Sequence, residues 1–567
     1  MTPRKVAATV ALTLLSPAVS TAQPSGLGPE DRAQLATYAR DTWRSIETIT
    51  SGVDLPADAL RREGDVWIPT GLTSPSNIAA YLWSTLAAEN LGLITRDEST
   101  RRLSRTLEAV ARLERSNGFY YNWYDPTSGA KSRTWPGGGL VRPFLSSVDN
   151  GWLAAALMVL NNARPELRPV VAPLLDPMNF AFFYNPYDAN DPVAHPGQLR
   201  GGYWPDERVF TEFHYGTLNT EPRIASYVGI ARGQLPGAHY YHMHRAGGSP
   251  GAPTRSYAGV SVVEGSQEVR GMRLVPTWDG TMFEALMVTL FVPEAEWAPE
   301  SWGVNHPLYV KAQIDFGLND PRLGFWGVSA SCDPEGGYYA FGVPGVGAWS
   351  SLNPPAHGRE GVVTPHASLL ALRYAPAETM ANLRAMAARF PVYGPHGFAD
   401  SVDVITGRVS DRVLILDQGM ILAAIANALH DDVLVRAFSD GAVEATVRPL
   451  IAPERFEAGL TSHTSSRTPR AVPVSLATAS VLAAETEWLS DSPTVPPIPA
   501  PHLSPSRQAV KAPFALGDTL QATTEGRPNP PPKRRSRKGR RNKDGEFADQ
   551  ERLVQAPPDE RDFLQTG

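Results

Sequence analysis

Five stretches of the chain set aromatic side chains beside a carboxylate at what reads as a loop–helix junction. They are Gly118-Phe119-Tyr120-Tyr121-Asn122-Trp123-Tyr124-Asp125, Ser146-Ser147-Val148-Asp149-Asn150-Gly151, Trp278-Asp279-Gly280-Thr281-Met282-Phe283-Glu284, Gly397-Phe398-Ala399-Asp400 and Leu416-Asp417-Gln418-Gly419. A sugar ring offers an apolar face to an aromatic group and a hydroxyl edge to carboxylates and amides. Cleaving a glycosidic bond takes two carboxyl groups across that bond, one protonated and one ionised. One such stretch says little. Five along one chain point to a shared pocket.

Each stretch also has a plainer reading. Asp149, Asp279 and Asp417 are placed to cap helices. Phe119, Tyr120 and Trp123 are equally suited to a core, and Asp400 to a surface loop. Glu284 is harder to explain this way. It lies within Met282-Phe283-Glu284-Ala285-Leu286-Met287, an apolar helix start, where a carboxylate needs a partner or a function.

Other chemistries find less support. His239, His242 and His244 suggest a metal site, but their spacing suits neither one helix face nor an alternating strand, and no HExxH is present. Gly71-Leu72-Thr73-Ser74 and Gly327-Val328-Ser329-Ala330-Ser331 are not the G-x-S-x-G elbow of a serine hydrolase. A single cysteine, Cys332, excludes a disulfide framework and a multi-cysteine metal centre. No metal or cofactor is expected.

The elements that must position these groups are helical. Ser74-Pro75 is an N-cap and first-turn pair, followed by Ile78, Leu82 and Leu86 at helical spacing. Leu103, Leu107, Val110 and Leu113 share a face that stops near Asn117-Gly118, a C-terminal signal. Further helices fit 147–162, 221–232, 281–291, 305–317, 364–373, 377–389, 418–429 and 431–446. Gly151 to Leu160 and Met420 to Leu429 are apolar nearly all round, so those helices must be covered on several sides. Strand-like alternation is confined to short stretches, notably 256–275. Eleven or twelve helices without a strand–helix alternation exclude a parallel α/β sheet. An all-α toroid of helical hairpins, with short β excursions in its loops, is the architecture expected.

The two ends read as separate from this body. Arg4 and Lys5, the apolar run Val6 to Leu15, Pro17 and Ser20-Thr21-Ala22 predict a secretory signal over residues 1–22 and hence export to periplasm or medium. The run is well short of the roughly 20 residues that span a bilayer. Residues 491–567 are Pro-rich and then basic, with eight Lys or Arg among the eleven residues 533–543, and predict a disordered tail. The net charge of −6 hides a balance of +4 over 527–567 and −10 over the rest. Such an acidic body is a poor polyanion binder, so no nucleic-acid partner is expected.

Several blocks, in order, resemble the glucoamylase-like (glycoamylase) family of bacterial proteins. Leu72-Thr73-Ser74-Pro75-Ser76-Asn77-Ile78, Tyr121-Asn122-Trp123-Tyr124-Asp125 and Ser147-Val148-Asp149-Asn150-Gly151 resemble its amino half. Thr220-Glu221-Pro222-Arg223-Ile224-Ala225-Ser226-Tyr227 resembles its SEAR(L/I)AS helix, and Trp278 to Glu284 its W(S/D)G(T/S)MFE segment. Phe325-Trp326-Gly327-Val328-Ser329-Ala330-Ser331, Phe341-Gly342-Val343-Pro344-Gly345, Gly397-Phe398-Ala399-Asp400 and Asp417-Gln418-Gly419 match the later ones, so the likeness spans about 70–455. The resemblance implies an (α/α)6 barrel acting on bacterial β-glucan. Family members include inverting endo-β-1,2-glucanases and the transglycosylating domain of cyclic β-1,2-glucan synthases. The synthase-type pattern has glutamate where this chain has Ala330 and Asp400, and both departures resemble the glucanase branch.

The combined expectation is an exported inverting glycoside hydrolase with an (α/α)6 domain over 23–490 and an oligo- or polysaccharide substrate. Glu284 and Asp400 are the expected acid/base pair, with Asp149 a third candidate. Trp123, Trp278 and Trp326 are expected to stack on sugar rings. Asp125, Asp279, Glu221, Arg223 and Asp417 are expected to bond hydroxyls or orient the acids. The rivals are a glycan-binding protein on the same barrel, which Ala330 favours, a glucan transglycosylase, and a polysaccharide lyase using Tyr215 and His214.

Overall fold

The computed structural model describes residues 26–461, apart from 51, 137, 247–250 and 348–359. The expected signal segment and the tail lie outside the described residues. All described residues fall in one compact unit.

Fifteen α-helices occur among the described residues. In chain order they begin with α1 (Pro29–Ile49), α2 (Pro75–Asn90), α3 (Arg96–Arg112), α4 (Ser147–Ala163) and α5 (Arg168–Leu175). Next come α6 (Arg223–Ala231), α7 (Ala238–Tyr241), α8 (Met282–Leu286), α9 (Glu294–Trp297) and α10 (Trp302–Asn319). The last are α11 (Pro365–Leu370), α12 (Pro376–Arg389), α13 (Ile415–Leu429), α14 (Val433–Ser439) and α15 (Ala442–Ile451). The strands form only two- and three-stranded antiparallel sheets. None of the helices is long and apolar enough to cross a membrane.

Six helices form a closed packing circuit. α2 packs on α4, α4 on α6, α8 on α11, α11 on α13, and α13 back on α2. The α6–α8 link is made by hydrogen bonds from the Arg223 guanidinium to the carbonyls of Glu284 and Ala285. Every residue from Pro75 to Ala88 in α2 and from Ser147 to Leu160 in α4 is buried, as the all-round apolar pattern demands. By contrast α3 buries only one stripe, including Leu103, Leu107 and Val110, and lies outside the circuit against α2.

Where α4 crosses α6 the backbones approach closely. A Cβ on Gly151 would stand 2.7 Å from the Ala225 Cβ and 3.0 Å from its Cα. Overpacking of this kind costs about 1–3 kcal/mol. Gly151→Ala is therefore expected to lower stability by that amount in denaturant unfolding, with the backbone conformation itself unstrained.

Local signals fared unevenly. Ser74 does cap α2, its hydroxyl accepting the Asn77 N–H at 3.2 Å. Asn117-Gly118 does not end a helix: α3 stops at Arg112, and the pair forms the turn between strands Arg115–Ser116 and Phe119–Tyr120. Both residues have positive φ, 52° and 85°, which is the two-residue hairpin preference of Asn-Gly. The expected helix 431–446 is broken at Gly441 (φ 88°) into α14 and α15. The expected helices 281–291 and 364–373 each tighten into a 3-10 turn after α8 and α11. α1 escaped the reading of periodicity, although Pro29 opens it and Glu30 and Asp31 occupy its first turn.

Candidate active site

All six helices of the circuit bring a polar group to the same end, their N-terminal turn. α2 contributes Ser76, α4 Asp149, α8 Glu284, α11 His366 and α13 Asp417; Glu221 immediately precedes α6. The positive end of each helix dipole faces these groups, so carboxyls are least costly there. Caps fix the first turns: Ser146 Oγ accepts the Asp149 N–H at 3.2 Å, and Thr281 Oγ1 accepts the Glu284 N–H at 3.3 Å.

One group of acids joins α4, α6 and α8. The Ser76 hydroxyl donates to Asp149 Oδ1 at 2.7 Å, and Asn122 donates to Asp149 Oδ2 at 3.5 Å. The Glu221 backbone N–H donates to Glu284 Oε2 at 2.9 Å, while the Trp152 indole N–H donates to the Glu221 carboxyl. Glu221 and Glu284 keep a small exposed surface, though the protein is packed densely around them. Burial raises the Glu284 carboxyl well above the carboxylate range, and Asp279 and Glu221 push it further. Burial likewise raises Glu221 to about 8, with Asp149 and Asp279 adding to the effect, and raises Asp279 to about 6. The Tyr215 hydroxyl is pushed up by burial and then by Asp149, Glu221 and Glu284, which places it among the same acids.

A second group lies at α11 and α13. Asp400 is 2% exposed and Asp417 3%. The Cys332 backbone N–H donates to Asp400 Oδ2 at 2.5 Å, and His366 Nδ1 lies 3.0 Å from Asp417 Oδ2. Burial raises Asp400 strongly, with the neighbouring Asp417 charge next in weight; burial also raises Asp417 to about 7. Tyr338 is affected by acids of both groups. Its partly exposed side chain lies across the strand pair from Cys332, and its hydroxyl is raised by burial, then by Asp417 and Asp400, and also by Glu221.

The titrations have a consequence for stability. Glu221, Asp279 and Asp417 bind protons more tightly folded than unfolded, so their contribution is fully present below their ordinary pKa values of 4.5 and 3.8. It is lost as pH rises through about 6 to 8. The melting temperature is expected to fall between pH 5 and pH 9, as scanning calorimetry in matched buffers would show.

His366, Asp400 and Asp417 each offer one ligand atom, all within 4.8 Å of one another, the spacing a divalent cation needs. The hydrogen bonding argues for a proton instead. The Thr364 hydroxyl has one hydrogen, given to the Asp400 carbonyl at 2.7 Å, so its 2.7 Å contact with His366 Nδ1 requires that nitrogen to carry the hydrogen. A protonated Nδ1 cannot ligate a metal, so any metal would have to take the lone pair on Nε2, which is buried without a hydrogen-bond partner. The three histidines considered from sequence do not converge either: His239 lies between Gly197 O and Ser226 Oγ, and His242 stacks on Tyr187.

The structure thus assembles Glu284, Asp149, Glu221 and Asp279 in one group and Asp400 and Asp417 in the other. Trp123 and Trp278 are partly exposed, and Trp123 meets Trp135 edge-on at 5.1 Å. Three expected contacts are corrected. Trp326 is 1% exposed and belongs to the core, with no face to offer a sugar. Asp125 closes its own turn, Oδ1 accepting from the N–H groups of Thr127 and Ser128 and the Ser128 hydroxyl. Arg223 is fully buried in an ion pair with Glu294 and holds the Glu284 backbone from behind. His366 and Tyr338 were not singled out from sequence. The Thr364-Pro365 helix start before His366 and the Gly336-Gly337 turn before Tyr338 were the only signals.

Residues 245–441 match the family Glycoamylase, described as "Putative glucoamylase". That matched segment is about a third of the chain. It holds Asp279, Glu284, Tyr338, His366, Asp400 and Asp417, whereas Asp149 and Glu221 precede it. A cyclic beta-(1,2)-glucan synthase, NdvB of Rhizobium meliloti (strain 1021), is 24% identical over 77% of this chain. The chain spans only 19% of that relative's length. The fold is also that of a solved "putative glucoamylase" from Bacteroides caccae (TM-score 0.58, 18% identity, 76% of this chain and 100% of that one). An endo-beta-1,2-glucanase from Chitinophaga pinensis shares it as well (TM-score 0.55, 15% identity, 74% of this chain and 98% of that one). The glycoamylase fold accordingly extends beyond the matched segment to most of the described residues.

Proposed function

We propose that this protein is an exported, inverting glycoside hydrolase that cleaves a bacterial β-glucan, β-1,2-glucan first among them. The six-helix circuit is read as the inner ring of an (α/α)6 toroid, with the carboxyls at its helix N-termini lining the substrate end. Glu284 and Asp400 are the acid/base pair, with Asp149 as the alternative partner. Asp279, Glu221 and Asp417 tune their protonation, and Trp123 and Trp278 receive sugar faces. The observation that carries this reading is the gathering of acids at the ring's N-terminal ends: the Glu221 N–H donates to Glu284 Oε2 at 2.9 Å, Ser76 donates to Asp149 at 2.7 Å, and Asp400 and Asp417 lie within 4.8 Å of each other and of His366. Hydrolysis with inversion requires two carboxyls about 6.5–9.5 Å apart, with room for a water between them. The glucan synthase and the endo-beta-1,2-glucanase among the similar proteins support the choice of linkage.

Incubation of the full chain with a panel of neutral glucans, read by chromatography and by proton NMR of the first anomer released, tests the proposal. β-1,2-Glucan should yield reducing ends in the α configuration. A different glucan cleaved in its place would replace the substrate but keep the reaction. Ala330, a methyl group in the strand that pairs with Tyr338–Ala340, favours the second reading, a glycan-binding protein without turnover. Binding with no reducing ends released from any glucan would establish that reading instead.

A further inference from the structure

We propose that His366 and Asp417 form a positioning pair that holds a proton on Asp400. This rests on the hydrolase reading above for its catalytic consequence, though not for its structural content.

The argument begins with the Thr364 hydroxyl. Its hydrogen goes to the Asp400 carbonyl, which fixes His366 Nδ1 as a donor toward Thr364 Oγ1 at 2.7 Å, with Asp417 Oδ2 3.0 Å away. The imidazole is therefore locked in one orientation, and being 1% exposed it has no room to turn. Burial lowers its pKa to about 4, so at neutral pH it is uncharged and its proton remains on Nδ1. Asp400 Oδ1 and Asp417 Oδ2 are both buried without a hydrogen-bond partner, although Asp400 Oδ2 is held by the Cys332 N–H. Two crowded carboxyls in this state are satisfied by a single shared proton. Asp400 donates it and Asp417, whose Oδ2 lies 3.0 Å from the orientation-locked imidazole, accepts it.

The other groups facing the pair fit this assignment. Asp58 bonds Asn77 at 3.0 Å and adds negative charge toward both aspartates, Arg412 supplies the opposing positive charge, and Tyr338 and Cys332 are neutral. Asp400 then enters the reaction as the protonated member and gives its proton to the departing sugar oxygen as the glycosidic bond breaks. Asp417 keeps the carboxylate.

The full-length chain tests this with His366→Ala, His366→Asn and Asp417→Asn. His366→Ala should lower kcat by about tenfold or more with KM within a few-fold, because the group acts through Asp400. His366→Asn should restore most of the loss, since its amide N–H stands where Nδ1–H stood. Asp417→Asn removes the charge that raises Asp400, so the alkaline limb of the kcat–pH profile should move to lower pH. A second readout needs no substrate. At pH 7 the infrared difference between the wild type and Asp400→Asn should contain a protonated-carboxyl band, weakened in the Asp417→Asn background. Failure of the wild type to cleave any glucan would sink the hydrolase reading while the infrared band still decides this one. An unchanged kcat and pH profile in His366→Ala, an absent band, or a stoichiometric divalent metal in the purified protein would each overturn it.

Discussion

Glu284→Gln is expected to lower kcat on the cleaved glucan by a factor of about 10²–10⁴ while leaving the fold intact. The amide can neither give nor take a proton in the reaction, and it keeps the shape. Its Oε1 still accepts the Glu221 backbone N–H, the contact that Glu284 Oε2 makes at 2.9 Å, and its own N–H remains capped by Thr281. Stability should be unchanged near pH 5 and should improve above pH 8. The reason is that burial, Asp279 and Glu221 all oppose a charge on Glu284, and glutamine never acquires one. Glu284→Ala would confound the test by leaving the Glu221 N–H without an acceptor. Steady-state kinetics together with thermal melts at pH 5 and pH 9 separate the two effects. Wild-type turnover in the amide variant would remove Glu284 from the chemistry.

Asp149, Glu284 and Asp417 were readable from sequence because each lies in a helix start within a short, distinctive string. Asp400 lies instead between strands Gly397–Phe398 and Val402–Asp403, and not at the expected loop–helix junction. Asp149 before Gly151-Trp152 and Glu284 inside an apolar run are conspicuous as residues, and the caps that hold them, Ser146 and Thr281, are local. The burial of α4 and α13 was readable because Gly151 to Leu160 and Met420 to Leu429 are apolar nearly all round. What sequence could not supply was which polar groups face one another across some seventy residues. Ser76 meets Asp149 and Arg223 meets Glu294 through tertiary packing, which leaves no periodicity. Trp326 carries the same letter as Trp278, yet one is core and the other partly exposed. Asn117-Gly118 shows the same limit at short range, since a glycine with positive φ ends helices and builds hairpins alike. Only the strand partner Phe119–Tyr120 decides between them.

Arg223 yields the second large effect, one of stability. Its side chain and that of Glu294 are both 0% exposed, with Nε donating to Oε1 at 2.7 Å and Nη2 to Oε2 at 2.9 Å. Tyr227 and His306 complete the glutamate's shell at 2.8 and 3.0 Å. Burial alone would raise the Glu294 carboxyl, but Arg223 and His306 outweigh it and bring it down to about 2. Removing one partner strands the other charge in the interior, at a cost of about 3–5 kcal/mol. Arg223→Met should therefore lower the unfolding free energy by that amount, and Glu294→Met by a similar one. The double variant should recover much of the loss, because no lone buried charge remains. Guanidinium also bonds the Glu284 and Ala285 carbonyls at 3.1 and 2.7 Å, so both Arg223 variants should lose turnover even where they remain folded. Glu294→Met, which keeps those two donors, should retain more activity at equal stability. That ordering, rather than the stability loss alone, is what identifies Arg223 as the group that positions Glu284; equal turnover in Arg223→Met and Glu294→Met would reduce it to a structural ion pair.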